Sequence, residues 1–258
     1  MRKAILLGTG TSTGVPLIGK KYSEEFLADP RNHRTRCSML FEGPEGSVLV
    51  DAGPDIRNQL LRHNVMSIEA CMITHTHADH IMGLDDLRAY CQQTGRPIDI
   101  YTSPRYQEDI RRVFSYAFLD FPPEIMVPRF DLYDPGERVH LAGFDLEVMW
   151  VEHGPNPVMA LKCGGFAYVT DVSRIPEEVW PRLENLETLV LDAVRLKPHP
   201  NHFHLDAALE VVAALKPKTT YLTHLSDDYD HGRDEKNLPQ GVFFAYDGLE
   251  IDLDSNMA

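Results

Sequence analysis

The sequence predicts an α/β protein of two mixed sheets packed together, with helices outside. Two observations carry this. In each half of the chain, strand-like runs joined by a glycine-containing turn give way to alternating strand and helix signals. No stretch of shifted composition separates the halves, so residues 1–258 read as one domain, with 43% hydrophobic residues to fill its core.

Lys3–Leu7 is an apolar run closed by Gly8. Ser38–Phe41 and Val48–Val50 flank Gly43-Pro44-Glu45-Gly46, which reads as a hairpin. Ile56–His63 has helical spacing, with Ile56, Leu60 and Leu61 on one face. Ala70–Ile73 is a short strand, and a helix is expected from about Asp79 to Tyr90 with Leu84 and Leu87 inward. Ile98–Tyr101 is a strand, and Pro104–Phe114 a helix with proline in its first turn. Ser115–Pro135 is aromatic- and proline-rich without a period. A loop this long has a role, and its aromatic part, 114–133, is a wall over the site or the contact of a homodimer. In the second half, Val139–Leu141 and Phe144–Val151 surround Gly143, and Val158–Lys162 and Ala167–Thr170 flank Cys163-Gly164-Gly165. Pro176–Leu183 reads as a helix, Thr188–Leu191 as a strand, Leu205–Leu215 as a helix, and Thr219–Thr223 and Val242–Tyr246 as strands.

Charge narrows the function. With 25 Lys and Arg against 39 Asp and Glu, the formal net charge is -14. Such a surface repels phosphate backbones, so nucleic acid is disfavoured and a small substrate expected. Four widely spaced cysteines without a C-x-x-C pattern read as buried thiols of a reducing compartment. The start, MRKAILLGTGTSTG, is too short in apolar residues for a secretory signal, and no run approaches a membrane span. A cytoplasmic address is expected.

The chemistry concentrates in THTHADH at 74–80. On a helix, His75 and His77 would point about 200° apart. At the end of an extended strand, residues i and i+2 share a side and can grip one ion. Asp79 and His80 then fall where the chain turns, so the spacing favours two neighbouring ions, one on His75 and His77, the other on Asp79 and His80. Two ions need further ligands. His153 in WVEHGPN, Asp171 in AYVTDVS and His224 in YLTHLSD each sit at a strand end before a turn signal, and strand ends meeting at a rim are where α/β sheets place ligands. His153 completes the first site, His224 the second, and Asp171 bridges them.

These residues resemble the metallo-β-lactamase fold superfamily: T-H-x-H-x-D-H at 74–80, VDAG at 50–53, His153, TD at 170–171 and LTH at 222–224, with GTGTSTGVP at 8–16 near the start. The resemblance implies a four-layer αβ/βα sandwich with two metals at the sheet edge. Within the superfamily the chain looks most like the phosphoribosyl 1,2-cyclic phosphate phosphodiesterases, through GTGTSTGVP, HTHADHIMGLDDLR, NHFHLD at 201–206 and YDGLEID. Those enzymes carry cysteines for a structural zinc after the glycine-rich loop. Here that stretch reads IGKKYSEEFLADPRN, without cysteine, so no structural zinc is expected. The resemblance also assigns His202 as general acid for the leaving group, with Asp79 the other catalytic residue, and favours Asp51 as a carboxylate orienting metal-bound imidazoles over a plain turn aspartate.

GTGTSTG is spaced one residue too long for a dinucleotide loop and lacks the lysine of a phosphate loop, so it reads as a turn that brings the first strand near the metal rim. His204 is a substrate contact or a helix-start residue. His33, His63, His140 and His231 are read as surface residues.

Two divalent ions, Zn2+ or Mn2+, would lower the pKa of a shared water and neutralise charge in the transition state. The expected activity is hydrolysis of a small, cyclic phosphate ester by that bridging hydroxide. An RNA 3′-processing endonuclease of the same fold is the alternative, with lactone or thioester hydrolysis third. A diiron redox module is disfavoured for want of a flavin domain.

Overall fold

The computed structural model describes residues 1–122 and 125–254; Pro123 and Glu124, inside the aromatic segment, lie outside them. Among the described residues, fourteen strands form two sheets of seven. The first sheet takes β1 (Lys3–Gly8), β2 (Ser38–Gly43), β3 (Gly46–Val50), β4 (Ala70–Met72), β5 (Ile98–Tyr101) and β6 (Phe130–Tyr133). The second takes β7 (Arg138–Leu141), β8 (Phe144–His153), β9 (Asn156–Cys163), β10 (Phe166–Val169), β11 (Thr188–Asp192), β12 (Thr219–Thr223) and β13 (Val242–Phe244). The last strand, β14 (Leu249–Asp252), returns to the first sheet beside β1. Both sheets share one plan. Strands β1–β3 and β7–β10 pair antiparallel, β3–β6 and β10–β13 pair parallel, and β14 lies antiparallel to β1.

Side-chain alternation explains the layering. In β1, Ala4 and Leu6 enter the core between the sheets, while Ile5 and Leu7 face the helices over the first sheet. In β10 and β11, Phe166, Tyr168 and Val190 enter the inter-sheet core, while Ala167, Val169, Leu189 and Leu191 pack under the outer elements of the second sheet. A strand apolar on both faces must be covered on both faces, and three separate cores between four layers are the result. Each fully buried Leu or Ile contributes about 1.5–3 kcal/mol.

The structure corrects several expectations. Ile56–Arg62 is a helix, but Leu61 faces solvent, and Gln59 takes the inner face, donating from Nε2 to Thr35 Oγ1 (2.8 Å) and Arg36 O (2.9 Å). The helix expected over 79–90 is three pieces, Ala78–Ile81, a tight 3-10 turn Leu84–Leu87, and Arg88–Thr94. The break lies at Gly83, where a Cβ would come 2.0 Å from Gly53 O, and whose own N–H donates to Ala52 O at 2.8 Å. Leu84 and Leu87 are buried as expected. Pro176–Leu183 holds only a 3-10 turn, Trp180–Leu183, because Pro181 has no N–H to continue a helix. Strands β6 and β14 were not foreseen.

His231 is buried rather than a surface residue, with Nε2 3.1 Å from Glu235 Oε2 and its backbone N–H on Asn32 Oδ1 (2.8 Å). The stretch after the glycine-rich loop forms the helix Glu24–Ala28, capped by Ser23. Behind it Arg34, fully buried, donates from Nη1 to the carbonyls of Ser226 and Tyr229 and from Nη2 to Asn32 Oδ1. Burial lowers its guanidinium to about 10.

Candidate metal centre

Six strands end at one rim. Asp51 follows β3, Thr74–His77 follow β4, His153 ends β8, Asp171 follows β10, Asp192 ends β11 and His224 follows β12. Asp51, Asp171 and His224 hold left-handed backbone conformations, with φ of 62°, 52° and 57°. Non-glycine residues there carry local strain, which clusters at functional sites. The turn re-aims each side chain across the rim just as its strand stops.

The ligand atoms of His75, His77 and His153 lie within 4.8 Å of one another, and so do those of Asp79, His80, Asp171 and His224. Asp171 also groups with His153 and His202, so its carboxylate stands between the two sets. The seven residues singled out in the sequence thus converge in the two sets expected. His75 and His77 meet edge to face, ring centres 4.4 Å apart, as an extended i, i+2 pair allows.

Hydrogen bonds fix which nitrogen of His75, His80 and His153 faces the centre. Asp51 is completely buried and accepts from Thr74 N (2.8 Å), Thr74 Oγ1 (2.8 Å) and His80 Nδ1 (2.7 Å). Since the Thr74 hydroxyl donates to Asp51, it accepts from His75 Nδ1 at 3.1 Å. One carboxylate therefore orients two histidines, one directly and one through a hydroxyl. His153 Nδ1 donates to Asn201 O at 2.6 Å. The opposite nitrogens, Nε2 of His75 and His80, are buried without a hydrogen-bond partner, as are both ring nitrogens of His224. Buried polar atoms are nearly always satisfied, and Nε2 lone pairs converging beside carboxylates are the donor set of a divalent cation.

The electrostatics agree with that fit. Burial holds His75 well below the ordinary histidine range. Burial also opposes charge on His224, yet Asp171, Asp79 and Asp192 outweigh it and push the imidazole up to about 9. Carboxylates are in surplus here, and a metal cation would balance them.

His202 sits at the edge, its ring stacked on His224 at 4.8 Å and edge-on to His153 at 4.4 Å. Its Nδ1 donates to Asp192 Oδ2 at 2.8 Å, and the same oxygen accepts Val172 N at 3.0 Å. Asp192 escaped the sequence reading although its signal was there, since VLVDA at 48–52 recurs as LVLDA at 189–193. His204 immediately precedes the helix Leu205–Leu215, and its carbonyl accepts the Ala208 N–H. The glycine-rich turn does approach the rim: Gly10 bridges Arg36 and Leu225, the residue after His224.

A family profile described as a beta-lactamase superfamily domain matches residues 47–225. A solved structure described as a new diphosphatase from the PhnP family is 35% identical, covers 97% of both chains and superposes with a TM-score of 0.89. An octanoyltransferase of Porphyromonas gingivalis is 32% identical over 98% of this chain but only 52% of its own length. A ribonuclease Z of Crocosphaera subtropica is 31% identical over 56% of this chain and 43% of its own. The chain thus spans about half the length of these two curated relatives.

Proposed function

The chain belongs to the beta-lactamase superfamily, and from that premise we propose that it is a metal-dependent hydrolase of a small phosphate ester or anhydride, with a cyclic phosphodiester among its candidate substrates. One observation carries the reading: at the edge of the two donor sets stands His202, with Nδ1 engaged by the buried Asp192 carboxylate and Nε2 without a hydrogen-bond partner among the described residues. Bound divalent ions would supply a water of lowered pKa and positive charge against the phosphoryl oxygens. His75, His77, Asp79, His80, His153, Asp171 and His224 would hold them, as zinc or manganese. Asp192 keeps His202 in the tautomer and orientation that let Nε2, once protonated, deliver a proton to the leaving oxygen. Asp51 keeps the imidazoles of His80 and, through Thr74, His75 aimed inward, and the Asn201 carbonyl that of His153.

The test is hydrolysis of bis(p-nitrophenyl) phosphate by chelator-stripped protein reloaded separately with zinc and manganese. Turnover restored by metal is expected; no turnover with either ion bound would sink the reading. H202A should cut turnover on alkyl leaving groups at least ~100-fold, and on nitrophenolate far less, since general acid catalysis contributes 10²–10⁴ where the leaving group needs a proton. Equal losses on both would count against the acid role.

The ribonuclease Z similarity favours a second reading, cleavage of precursor transfer RNA. The formal net charge of -14 opposes it. Cleavage of such a precursor at substoichiometric protein would reverse the order.

A further inference from the structure

The segment 195–203 between β11 and the helix Leu205–Leu215 is a loop with a closed neck. Val194 N donates to Phe203 O (2.9 Å) and Leu205 N to Arg195 O (3.0 Å), while Phe203 N donates to Val172 O (2.6 Å). Arg195 locks the loop from within, donating from Nε to Lys197 O (3.0 Å) and from Nη2 to Pro198 O (2.5 Å). His199 stands between Pro198 and Pro200, which hold its backbone extended. Its ring lies edge-on to His202, centres 4.9 Å apart. Its Nδ1 accepts the Asn201 N–H at 3.1 Å, which leaves the proton on Nε2. Among the described residues no protein group takes that Nε2–H, and it is not a buried orphan.

His199 belongs to neither donor set, yet the loop holds it against the His202 ring, and the Arg195 guanidinium is bonded to the carbonyl of Pro198, the residue before it. We propose that His199 and Arg195 form a leaving-side anion subsite, which binds a phosphoryl group one bond beyond the scissile oxygen. The assignment rests on the phosphoryl-transfer reading above and narrows it to diphosphates. In that reaction water adds to the attacked phosphorus, the bridging P–O bond breaks, and its electron pair leaves with the second phosphate, which takes its proton from His202. A neutral N–H donor beside a guanidinium suits a phosphate oxygen, and a locked loop has little entropy left to lose on binding.

The test compares binding to the metal-loaded protein of a nucleoside monophosphate and of the methylene analogue of the corresponding nucleoside diphosphate, by calorimetry. In wild type the diphosphate analogue should bind more tightly. In H199A the ratio of the two affinities should fall about tenfold, the loss of one charge-assisted hydrogen bond. H199Q, which keeps an N–H donor, should recover most of it. Retained monophosphate binding shows that each variant is folded with its centre intact. A ratio unchanged within about twofold in H199A, or no preference for the diphosphate in wild type, overturns the subsite. Hydrolysis of bis(p-nitrophenyl) phosphate, read in parallel on wild type, fails only if the hydrolase reading itself is wrong.

Discussion

Asp51 does more at the rim than any single ligand type implies. Its three accepted bonds fix Thr74, His80 and, through the Thr74 hydroxyl, His75, so one side chain touches both donor sets. D51A should weaken metal affinity by 10–100-fold, the usual cost of removing such an orienting carboxylate, as read by competition with a fluorescent chelator. Unaltered affinity would mean that packing alone aims these imidazoles. Asp192 plays the parallel part for His202. D192N removes the charge but keeps an acceptor, so it should slow alkyl leaving groups by ~10-fold or more and leave metal content unchanged. Loss of metal instead would place Asp192 in service of His224, whose Nδ1 lies 3.8 Å away.

At the scale of elements, two short connections set the centre's geometry. The chain leaving β4 must turn at once to present Asp79 and His80, and Gly83 makes this possible by letting the segment 79–83 touch 52–53. Ala52 N donates to His80 O and Gly83 N to Ala52 O, both at 2.8 Å. A Cβ at Gly83 meets Gly53 O at 2.0 Å and Ile56 Cγ2 at 2.5 Å. G83A should therefore cost about 2–3 kcal/mol, seen as a lower denaturation midpoint, together with weaker binding of the ion on Asp79 and His80. Stability unchanged within about 0.5 kcal/mol would show that the two segments can part freely. The other connection, residues 195–203, brings together His202, the Asn201 carbonyl that orients His153, and His199. One loop therefore builds the edge of the centre beside His153 and His224.

The whole molecule is closed by Asp247, near the end of the described chain. It is almost fully buried and accepts four bonds, from Thr9 N (3.0 Å), Thr9 Oγ1 (2.9 Å), Thr35 N (2.8 Å) and Thr35 Oγ1 (2.5 Å). Thr9 O in turn accepts the N–H of Leu225, next to His224, at 2.9 Å. Burial pushes the carboxyl up to about 6 from 3.8, against the pull of its four donors. A carboxyl raised on folding stabilises most below pH ~4, and that contribution is lost as pH rises through ~6. The change is about 3 kcal/mol for a shift of this size. In D247N this contribution is absent. The stability of wild type relative to D247N should therefore fall by roughly that amount between pH 4 and pH 7, by urea unfolding at each pH. A difference independent of pH would place the Asp247 pKa near its ordinary value.

How much was legible follows from range. Strands β1 to β5 and β7 to β13 were readable because apolar runs bounded by turn residues are local signals, and the three cores follow from two-sided strands. The candidate ligand residues were readable because an H-x-H at a strand end has few other uses. Leu61 and the 79–90 helix were misread because local periodicity cannot sense Gln59 reaching Thr35, or Gly83 meeting Gly53. Strand β14 needed β1, 243 residues earlier at the Leu6–Leu249 pair, to exist at all. By itself, then, the sequence determined the layers and the ligand types, since both depend on residue character and short spacing. Only the tertiary structure decided which nitrogen of His75, His80 and His153 faces inward, that Asp192 accepts from His202, and that His199 lies against the His202 ring. Those facts are set by hydrogen bonds between strand ends and loops far apart in the chain, which no local pattern encodes.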